Sequence, residues 1–149
     1  MSQCPTDLWR AAHTSDFPHG PVVDDEPAEG ILYPTFEPKL VGTLPDGSPK
    51  YRKTDVKFDK KGRVRTGGGT SLFDKEKVFR GKAWRYFHIP KGTLVDPNLV
   101  LTGPDYNEDF DANHYQIEPV KPMFPHVFKG ALDNFARAAL AKAYESARS

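Results

Sequence analysis

The chain has 149 residues, and its 21 Lys and Arg against 20 Asp and Glu give a formal net charge of +1 at pH 7 with neutral histidines. This length favours a single domain, residues 1–149, that buries roughly two thirds of the surface its unfolded form exposes. The balanced charge argues against a surface that binds nucleic acid or membrane as a whole, and no apolar run approaches the roughly 20 residues of a membrane span.

The amino-terminal residues and the cysteine content both indicate a soluble protein of a reducing compartment. Residues 1–10 lack the apolar stretch of a cleavable secretory signal, so a cytoplasmic location is expected. Cys4 is the only cysteine, which excludes an internal disulfide.

The charges are unevenly placed along the chain. Residues 16–38 contain six carboxylates and no Lys or Arg, whereas residues 50–65 contain eight basic residues against Asp55 and Asp59. Two interpretations remain open for these blocks: a solvated surface, or a basic patch that contacts phosphate or pairs with the acidic block.

The first 125 residues are interrupted by prolines and glycines, which predicts short strands and loops rather than long helices. Residues 8–12 are predicted to form a strand, and the chain from there to about Pro49 is expected to be mostly irregular. Residues 55–66 alternate apolar and charged side chains around a Lys-Lys-Gly turn, which predicts a β-hairpin. Residues 71–79 are expected to hold a short helical turn.

Strands are predicted again at residues 83–90, 98–103 and 113–119, where Pro or Gly ends each one. After Pro125 the apolar period becomes 3.6, which predicts a helix to about Ala147 with one face formed by Phe128, Leu132, Phe135, Ala139 and Ala143. Many short strands followed by one long helix predict an α+β domain.

Three consecutive glycines at residues 67–69 precede Thr70 and Ser71. The run lacks the lysine of a P-loop and the spacing of a dinucleotide fingerprint. It is either a flexible turn, or bare backbone that lets peptide NH groups and the hydroxyls of Thr70 and Ser71 approach a flat or anionic ligand. In the second case a Cβ at Gly69 would project toward the ligand.

The stretch HYQIEP, residues 114–119, places His114, Gln116 and Glu118 on one face of a strand and Tyr115 and Ile117 on the other. The first face is either a wet polar surface or a site that orients a ribose, accepts a proton or stabilises a developing cation.

Arg10 lies within an otherwise apolar strand. A partly buried guanidinium there favours an anionic partner such as a pyrophosphate, and an edge position in water is the alternative.

Other patterns argue against three kinds of site: a calcium loop, a zinc site and an acyl-transfer nucleophile. Residues 105–116 alternate carboxylates and amides like the start of an EF-hand loop, but Phe110 stands where glycine is needed and Gln116 where glutamate is needed. The five histidines show no zinc-ligand spacing, so no metal is expected. Ser71 lacks the Gly-x-Ser-x-Gly elbow of an acyl-transfer nucleophile.

Four ordered blocks carry a family resemblance: GGTSLFD at residues 68–74, HIPKGT at 88–93, HYQIEPVKPM at 114–123 and LDNFARAA at 132–139. Together they are similar to the small NAD-dependent cytotoxins of bacterial type VI secretion, which have relatives in fungi. The similarity is strongest over residues 67–148, weaker at DLWR and YPTF upstream, and absent over residues 42–66.

This resemblance implies a mono-ADP-ribosyltransferase-like fold, a split and strongly bent β-sandwich with NAD in a cleft between two sheets. It implies that Arg10 holds the phosphate or ribose of NAD and that Gly68, Gly69, Thr70 and Ser71 line the nicotinamide-ribose pocket, with Phe73 available for stacking. The catalytic set would then be Arg10, Ser71 and either Glu118 or, failing it, Gln116 with His114.

The resemblance predicts a cytotoxin that acts as an NAD-dependent mono-ADP-ribosyltransferase or NAD glycohydrolase. NAD is the expected substrate, the acceptor of ADP-ribose is open, and an immunity protein that covers the cleft is a predicted partner of a chain expected to be monomeric. Two alternatives remain: a non-catalytic nucleotide- or protein-binding module on the same fold, and an RNA 2'-phosphotransferase-like enzyme.

Overall fold

The computed structural model describes residues 2–148, which form nine strands and one helix. In chain order these are β1 (Leu8–His13), β2 (Val22–Val23), β3 (Glu26–Pro27), β4 (Lys39–Thr43), β5 (Pro49–Arg52), β6 (Thr70–Phe73), β7 (Trp84–Ile89), β8 (Leu99–Asn107), β9 (Ala112–Pro119) and α1 (Pro125–Arg148). Five strands make an antiparallel sheet in the order β7-β1-β6-β9-β8, and β2-β3 and β4-β5 make two small ribbons.

The five-stranded sheet consists of two blocks that meet at one point. β1 pairs with β7 over its whole length, from Leu8 opposite Ile89 to His13 opposite Trp84, and β6 pairs with β9 from Thr70 opposite Ile117 to Phe73 opposite His114. Between β1 and β6, within the described residues, the registered pair is Trp9 with Phe73. Beyond this pair, toward Ala11 and Ser71, the two strands continue with no registered pairing between them in the described residues, and the sheet is split there.

Helix α1 covers one face of the sheet and completes the core. Pro125 begins the helix at a position where its missing NH costs no hydrogen bond. The helix contributes a buried face, and alternate residues of the strands oppose it, because successive side chains of a strand point to opposite sides of the sheet. The core residues of the helix are Phe128, Ala131, Leu132, Phe135, Ala136, Ala139 and Leu140, and those of the strands include Leu8, Ala12, Leu72, Phe87, Ile89, Tyr115 and Ile117.

The predicted α+β arrangement of short strands and a long carboxy-terminal helix is confirmed. The strand at residues 8–12 is confirmed and extends to His13, and the three later strands lie where they were predicted, although β8 continues to Asn107. The helix ends within one residue of the predicted boundary.

One expectation about local structure is wrong, and another is confirmed. Residues 71–79 begin as strand β6 rather than a helical turn, because Leu72 is completely buried in the core and the backbone pairs with β9. The chain between His13 and Pro49 is mostly irregular, as expected, and its exceptions are the ribbon β2-β3 and strand β4, which pairs with β5.

The hairpin predicted at residues 55–66 is confirmed in outline. Phe58 forms an antiparallel bridge with Val64, and the amide of Arg65 donates to the carbonyl oxygen of Lys57 at 2.8 Å. Val64 also bridges to Met123, which attaches this hairpin to the chain just before α1. By contrast, every residue of β4 and β5 is exposed, so that ribbon projects from the body of the domain.

Helix α1, the one helix within residues 2–148, is 24 residues long but does not combine the length and apolarity that a membrane crossing requires.

Candidate active site

Arg10 bridges the split between β1 and β6. Its Nη1 donates a hydrogen bond to the carbonyl oxygen of Ser71 at 3.2 Å, and its Nη2 donates to the carbonyl oxygen of Tyr33 at 3.1 Å. A side chain thus takes the place of the backbone bonds that are lost where the strands diverge. A guanidinium has five N–H donors, so hydrogen bonds to these two carbonyls leave donors for an anion.

Arg10 stays charged at neutral pH although its surroundings lower its pKa. Burial of the guanidinium lowers the pKa of Arg10 to about 10, which Asp55 and Asp16 oppose and Arg52 reinforces. At pH 7 the group is still protonated. A partly desolvated cation of this kind interacts more strongly with an anionic ligand than one in water.

A cavity of about 570 Å³ opens at the split. Phe79 stacks on Trp84 with ring centroids 4.6 Å apart, and Phe73 meets Phe79 edge to face at 6.0 Å, so one wall is aromatic. Ser71 lines the cavity beside Arg10. The charged lining residues are Arg10, Lys39, Arg52, Asp16, Glu37 and Asp55. An aromatic wall next to a buried cation suits a ligand that combines a flat ring with an anion.

Thr70 lies on the opposite face of β6 from Ser71. It is completely buried, and its hydroxyl donates to the carbonyl oxygen of Leu32 at 2.6 Å. Thr70 lines none of the cavities described here. Its side chain fastens the segment that carries Tyr33, and hence one of the two Arg10 acceptors, to the sheet.

Gly68 and Gly69 have no room for a side chain, because the protein's own backbone occupies the position that a Cβ would take. A Cβ added at Gly69 would overlap the carbonyl oxygen of Ile117 and lie 2.9 Å from its carbonyl carbon. A Cβ at Gly68 would lie 2.5 Å from the carbonyl oxygen of Asp55. This corrects the expectation that a Cβ at Gly69 would point toward a ligand: it would point into β9. Gly68, but not Gly69, lines a cavity, which is the second and larger cavity described below.

Glu118 and Gln116 form a hydrogen-bonded unit with the start of the glycine run. Oε1 of Glu118 accepts from the amide of Gly67 at 2.8 Å, and Oε2 accepts from Oγ1 of Thr102 at 2.7 Å and from Nε2 of Gln116 at 3.2 Å. Three donors therefore satisfy this carboxylate. Gln116 pairs with Ser71 across the β6–β9 ladder, which places this unit next to the Arg10 cavity.

His114 packs against Phe73, a residue of the aromatic wall. It pairs with Phe73 across the ladder, and the two rings meet edge to face with centroids 5.4 Å apart. Burial lowers the pKa of His114 below its usual 6.5, and the charge of Asp105 opposes this only in part. The imidazole is therefore neutral at pH 7 and offers one donor and one acceptor.

The structure thus brings most of the predicted site residues onto three neighbouring strands. Arg10 lies on β1, and Ser71 and Phe73 lie on β6. His114, Gln116 and Glu118 lie on β9, and their side chains share the face of the sheet that carries Ser71 and Phe73. Arg10, Ser71 and Phe73 line the 570 Å³ cavity directly. Thr70 and Gly69 face the interior instead.

Two cavity residues escaped the sequence analysis. Asp55 accepts a hydrogen bond from the amide of Thr35 at 2.7 Å and lies between two cavities. Tyr33 donates to Oδ2 of Asp133 at 2.9 Å, and burial together with this bond raises the pKa of Tyr33 to about 12. The sequence marks Asp55 only as a carboxylate within the basic block of residues 50–65. The role of Tyr33 depends on its contact with α1, which the sequence does not indicate.

A second, larger cavity of about 1150 Å³ adjoins the first and shares Pro38, Arg52 and Asp55 with it. Its remaining lining residues are Tyr51, Lys53, Thr54, Val56, Lys57, Arg65, Thr66, Gly67 and Gly68. In the described part of the chain, no three His, Cys, Asp or Glu side chains gather as metal ligands would.

Comparison with known proteins gives two matches that cover most of the chain. Residues 3–144 match the family model described as Tse2 ADP-ribosyltransferase toxin. The chain is also 38% identical over 119 residues to the protein named Toxin Tse2 of Pseudomonas aeruginosa strain PAO1, and the match covers 79% of this chain and 72% of that protein.

Proposed function

Since the chain belongs to the family of Tse2 ADP-ribosyltransferase toxins, which are type VI effectors, we propose that it cleaves the nicotinamide–ribose bond of NAD in the cavity at the β1–β6 split. The family makes the protein a toxin and an ADP-ribosyltransferase with NAD as its substrate. The observation that carries the assignment of the site is the position of Arg10, a desolvated cation at the split with Ser71 and an aromatic wall beside it.

In this proposal Arg10 holds the pyrophosphate of NAD. Phosphate oxygens accept hydrogen bonds from a guanidinium in a fixed, forked geometry. The carbonyl groups of Ser71 and Tyr33 orient the guanidinium before NAD arrives, so little ordering is needed on binding.

The nicotinamide ring then lies against Phe79, Trp84 and Phe73, and the adjoining ribose lies over Ser71. As the bond from ribose C1' to the nicotinamide nitrogen breaks, nicotinamide leaves with the bonding electron pair and positive charge develops on the ribose. An acceptor oxygen or nitrogen then bonds to C1' and releases its proton, and with water as acceptor the product is ADP-ribose. Groups that stabilise the developing charge more than the ground state accelerate this step.

We assign Glu118 a positioning role. Its carboxylate already accepts bonds from Gly67, Thr102 and Gln116, so it fixes the amide of Gln116 rather than meeting the ribose itself. Nε2 of Gln116 donates to this carboxylate and, at 3.4 Å, to the carbonyl oxygen of Gly67, which leaves Oε1 of Gln116 to accept from a ribose hydroxyl. The neutral His114 packs against Phe73 on the same face.

Nicotinamide release by the purified protein tests the assignment of the site. Arg10→Lys keeps a charge but loses the fork, and its kcat/KM should fall about a hundredfold, as when one preorganised donor is removed from an active site. Arg80→Lys is the matched control, because Arg80 is exposed and lines none of the described cavities. No release by the unmodified protein, or equal release by Arg10→Lys, contradicts the proposal.

A double-mutant cycle tests the role of Glu118. If Glu118 acts through Gln116, then Glu118→Gln and Gln116→Leu should lower kcat by a similar factor, and the double variant should lose little more than either single one. A large loss of kcat in Glu118→Gln with near-normal kcat in Gln116→Leu would make Glu118 itself the catalytic acid. Urea unfolding of each variant separates this effect from a loss of stability.

Three further features belong to the same proposal. An immunity protein binds over the split and blocks entry of NAD, the toxin acts in the cytoplasm of its target cell, and the isolated chain is a monomer. Sedimentation of the purified protein checks that it is a monomer. Growth arrest on expression in the cytoplasm, relieved by Arg10→Lys, checks that the toxin acts there.

A further inference from the structure

The 1150 Å³ cavity beside the Arg10 cavity has no role in the chemistry described so far. The two cavities share Arg52 and Asp55, so a molecule bound in the larger one reaches the boundary of the smaller one. Its walls come from β5, from the hairpin that contains Lys57 and Arg65, and from the start of the glycine run at Gly67 and Gly68.

The larger cavity is strongly basic. Arg52, Lys53, Lys57 and Arg65 contribute four cations, all of them on exposed residues, and within residues 2–148 none of them forms an ion pair. Asp55 is the one carboxylate among the lining residues, and its Oδ2 already accepts from the amide of Thr35. Four unneutralised cations around one concave surface favour a ligand with several negative charges.

An exposed aromatic side chain lies among these cations. Tyr51 lines the cavity, and 57% of its surface is exposed. It sits on the projecting ribbon β4-β5, directly before Arg52. An exposed ring within a basic groove is the arrangement on which proteins stack the bases of single-stranded nucleic acid while cations follow the phosphates.

We propose that this cavity binds the phosphodiester backbone of a single-stranded nucleic acid, and that this strand is the acceptor of ADP-ribose. NAD carries only two phosphates, for which Arg10 is already placed, whereas the four cations here suit a chain of phosphates. An acidic protein segment offers charge but no base for Tyr51 to stack on. A single strand also presents unpaired bases, which an active site can reach without opening a duplex.

The inference rests on the proposed function, because the NAD cavity supplies the reacting carbon. A nitrogen or oxygen of the strand attacks C1' of the ribose, the bond to nicotinamide breaks, nicotinamide leaves neutral, and the proton of the attacking group passes to water.

Binding is tested with fluorescein-labelled oligouridylate and oligothymidylate across a salt series. Lys53→Gln with Lys57→Gln removes two lining cations. Lys60→Gln with Lys61→Gln is the matched control, because it removes two exposed cations that line neither cavity, from the hairpin that carries Lys57. The first pair should weaken binding about tenfold and reduce the slope of log K against log salt by about 1.4, or about 0.7 for each phosphate that a lysine no longer neutralises. The control pair should change both far less.

Tyr51→Leu checks the stacking contribution separately. It should also weaken binding by roughly tenfold while the salt slope stays unchanged, because it removes a ring and no charge. Equal effects of the two lysine pairs, or binding of polyglutamate as tight as that of the oligonucleotides, would overturn the proposal.

Transfer of radiolabelled ADP-ribose to the oligonucleotides then separates this inference from the proposed function. The Lys53 and Lys57 double variant should lose transfer about tenfold and keep nicotinamide release in the absence of nucleic acid. Nicotinamide release without transfer to either oligonucleotide overturns the acceptor and leaves the NAD cavity standing. A raised KM for NAD with unchanged oligonucleotide binding would place NAD phosphates in this cavity and also overturn the acceptor.

Discussion

Replacing Gly69 by alanine is expected to destabilise the fold severely, by about 4 kcal/mol in the free energy of unfolding. The added Cβ would overlap the carbonyl oxygen of Ile117 and lie 2.9 Å from the carbonyl carbon of Ile117 and 3.3 Å from Cα of Glu118. All three atoms are backbone of β9, so no side chain can rotate away and β6 must move from its partner. Overpacking of a well-packed core costs roughly 1–3 kcal/mol, and displacement of a central ladder belongs at or above the upper end.

Urea unfolding followed by tryptophan fluorescence measures this loss. With a urea m-value of about 2 kcal/mol per molar, a 4 kcal/mol loss lowers the midpoint by about 2 M. The matched control is Gly130→Ala in helix α1, where an added Cβ meets nothing within 4 Å. Because alanine is the better helix former, this control should raise stability by about 1 kcal/mol.

The two substitutions therefore make the same chemical change with opposite expected signs. If Gly69→Ala unfolds at the unmodified midpoint but no longer releases nicotinamide from NAD, the steric argument is wrong. Gly69 would then be bare for a ligand, which is the alternative that its sequence context leaves open. If it unfolds early, the glycine serves the sheet.

Three further expectations concern stability. Thr70→Val removes the hydroxyl that donates to the buried carbonyl of Leu32 and should cost about 1–3 kcal/mol in urea unfolding; an unchanged midpoint would mean that this bond contributes nothing. Phe128→Ala empties a fully buried position on α1 and should cost about 3–5 kcal/mol, against under about 1 kcal/mol for the exposed neighbour Val127→Ala, and equal costs would contradict the core described here. Burial lowers the folded-state pKa of His114, so the unfolded chain takes up this proton first as pH falls below about 6.5 and the folded state loses stability down to the folded pKa. His114→Gln should therefore flatten the fall in unfolding free energy between about pH 7 and pH 5, and superimposable pH profiles of the two proteins would refute this.

Local sequence signals are sufficient for elements that their own side chains specify. The 3.6-residue period after Pro125 predicts α1, and Phe128, Leu132, Phe135 and Ala139 are buried as that period requires. The alternation in HYQIEP likewise predicts which residues of β9 face the core, since Tyr115 and Ile117 are buried and His114, Gln116 and Glu118 are not. In each case a single element buries one face against the core, so the pattern lies within that element's own residues. It can be recognised without knowing the rest of the fold.

Segments whose structure depends on distant partners cannot be read in this way. The start of β6 is polar, and its local sequence is compatible with a helical turn. Nothing in TSLF itself indicates that this segment lies between β1 and β9. Ribbon β4-β5 is exposed on every residue, so it shows no buried alternation to detect.

Apolar periodicity and ordered motifs are properties of the chain, so the fold class, the family and the chemical groups of this protein can be read from its residues. The folded arrangement decides how those groups are used. It placed Arg10 at a split between two sheet blocks, turned Thr70 inward, gave the carboxylate of Glu118 three donors, and set the backbone of β9 where a Cβ of Gly69 would lie. The reason is that strands far apart in sequence meet in this sheet, and hydrogen bonding, burial and steric contact depend on those neighbours.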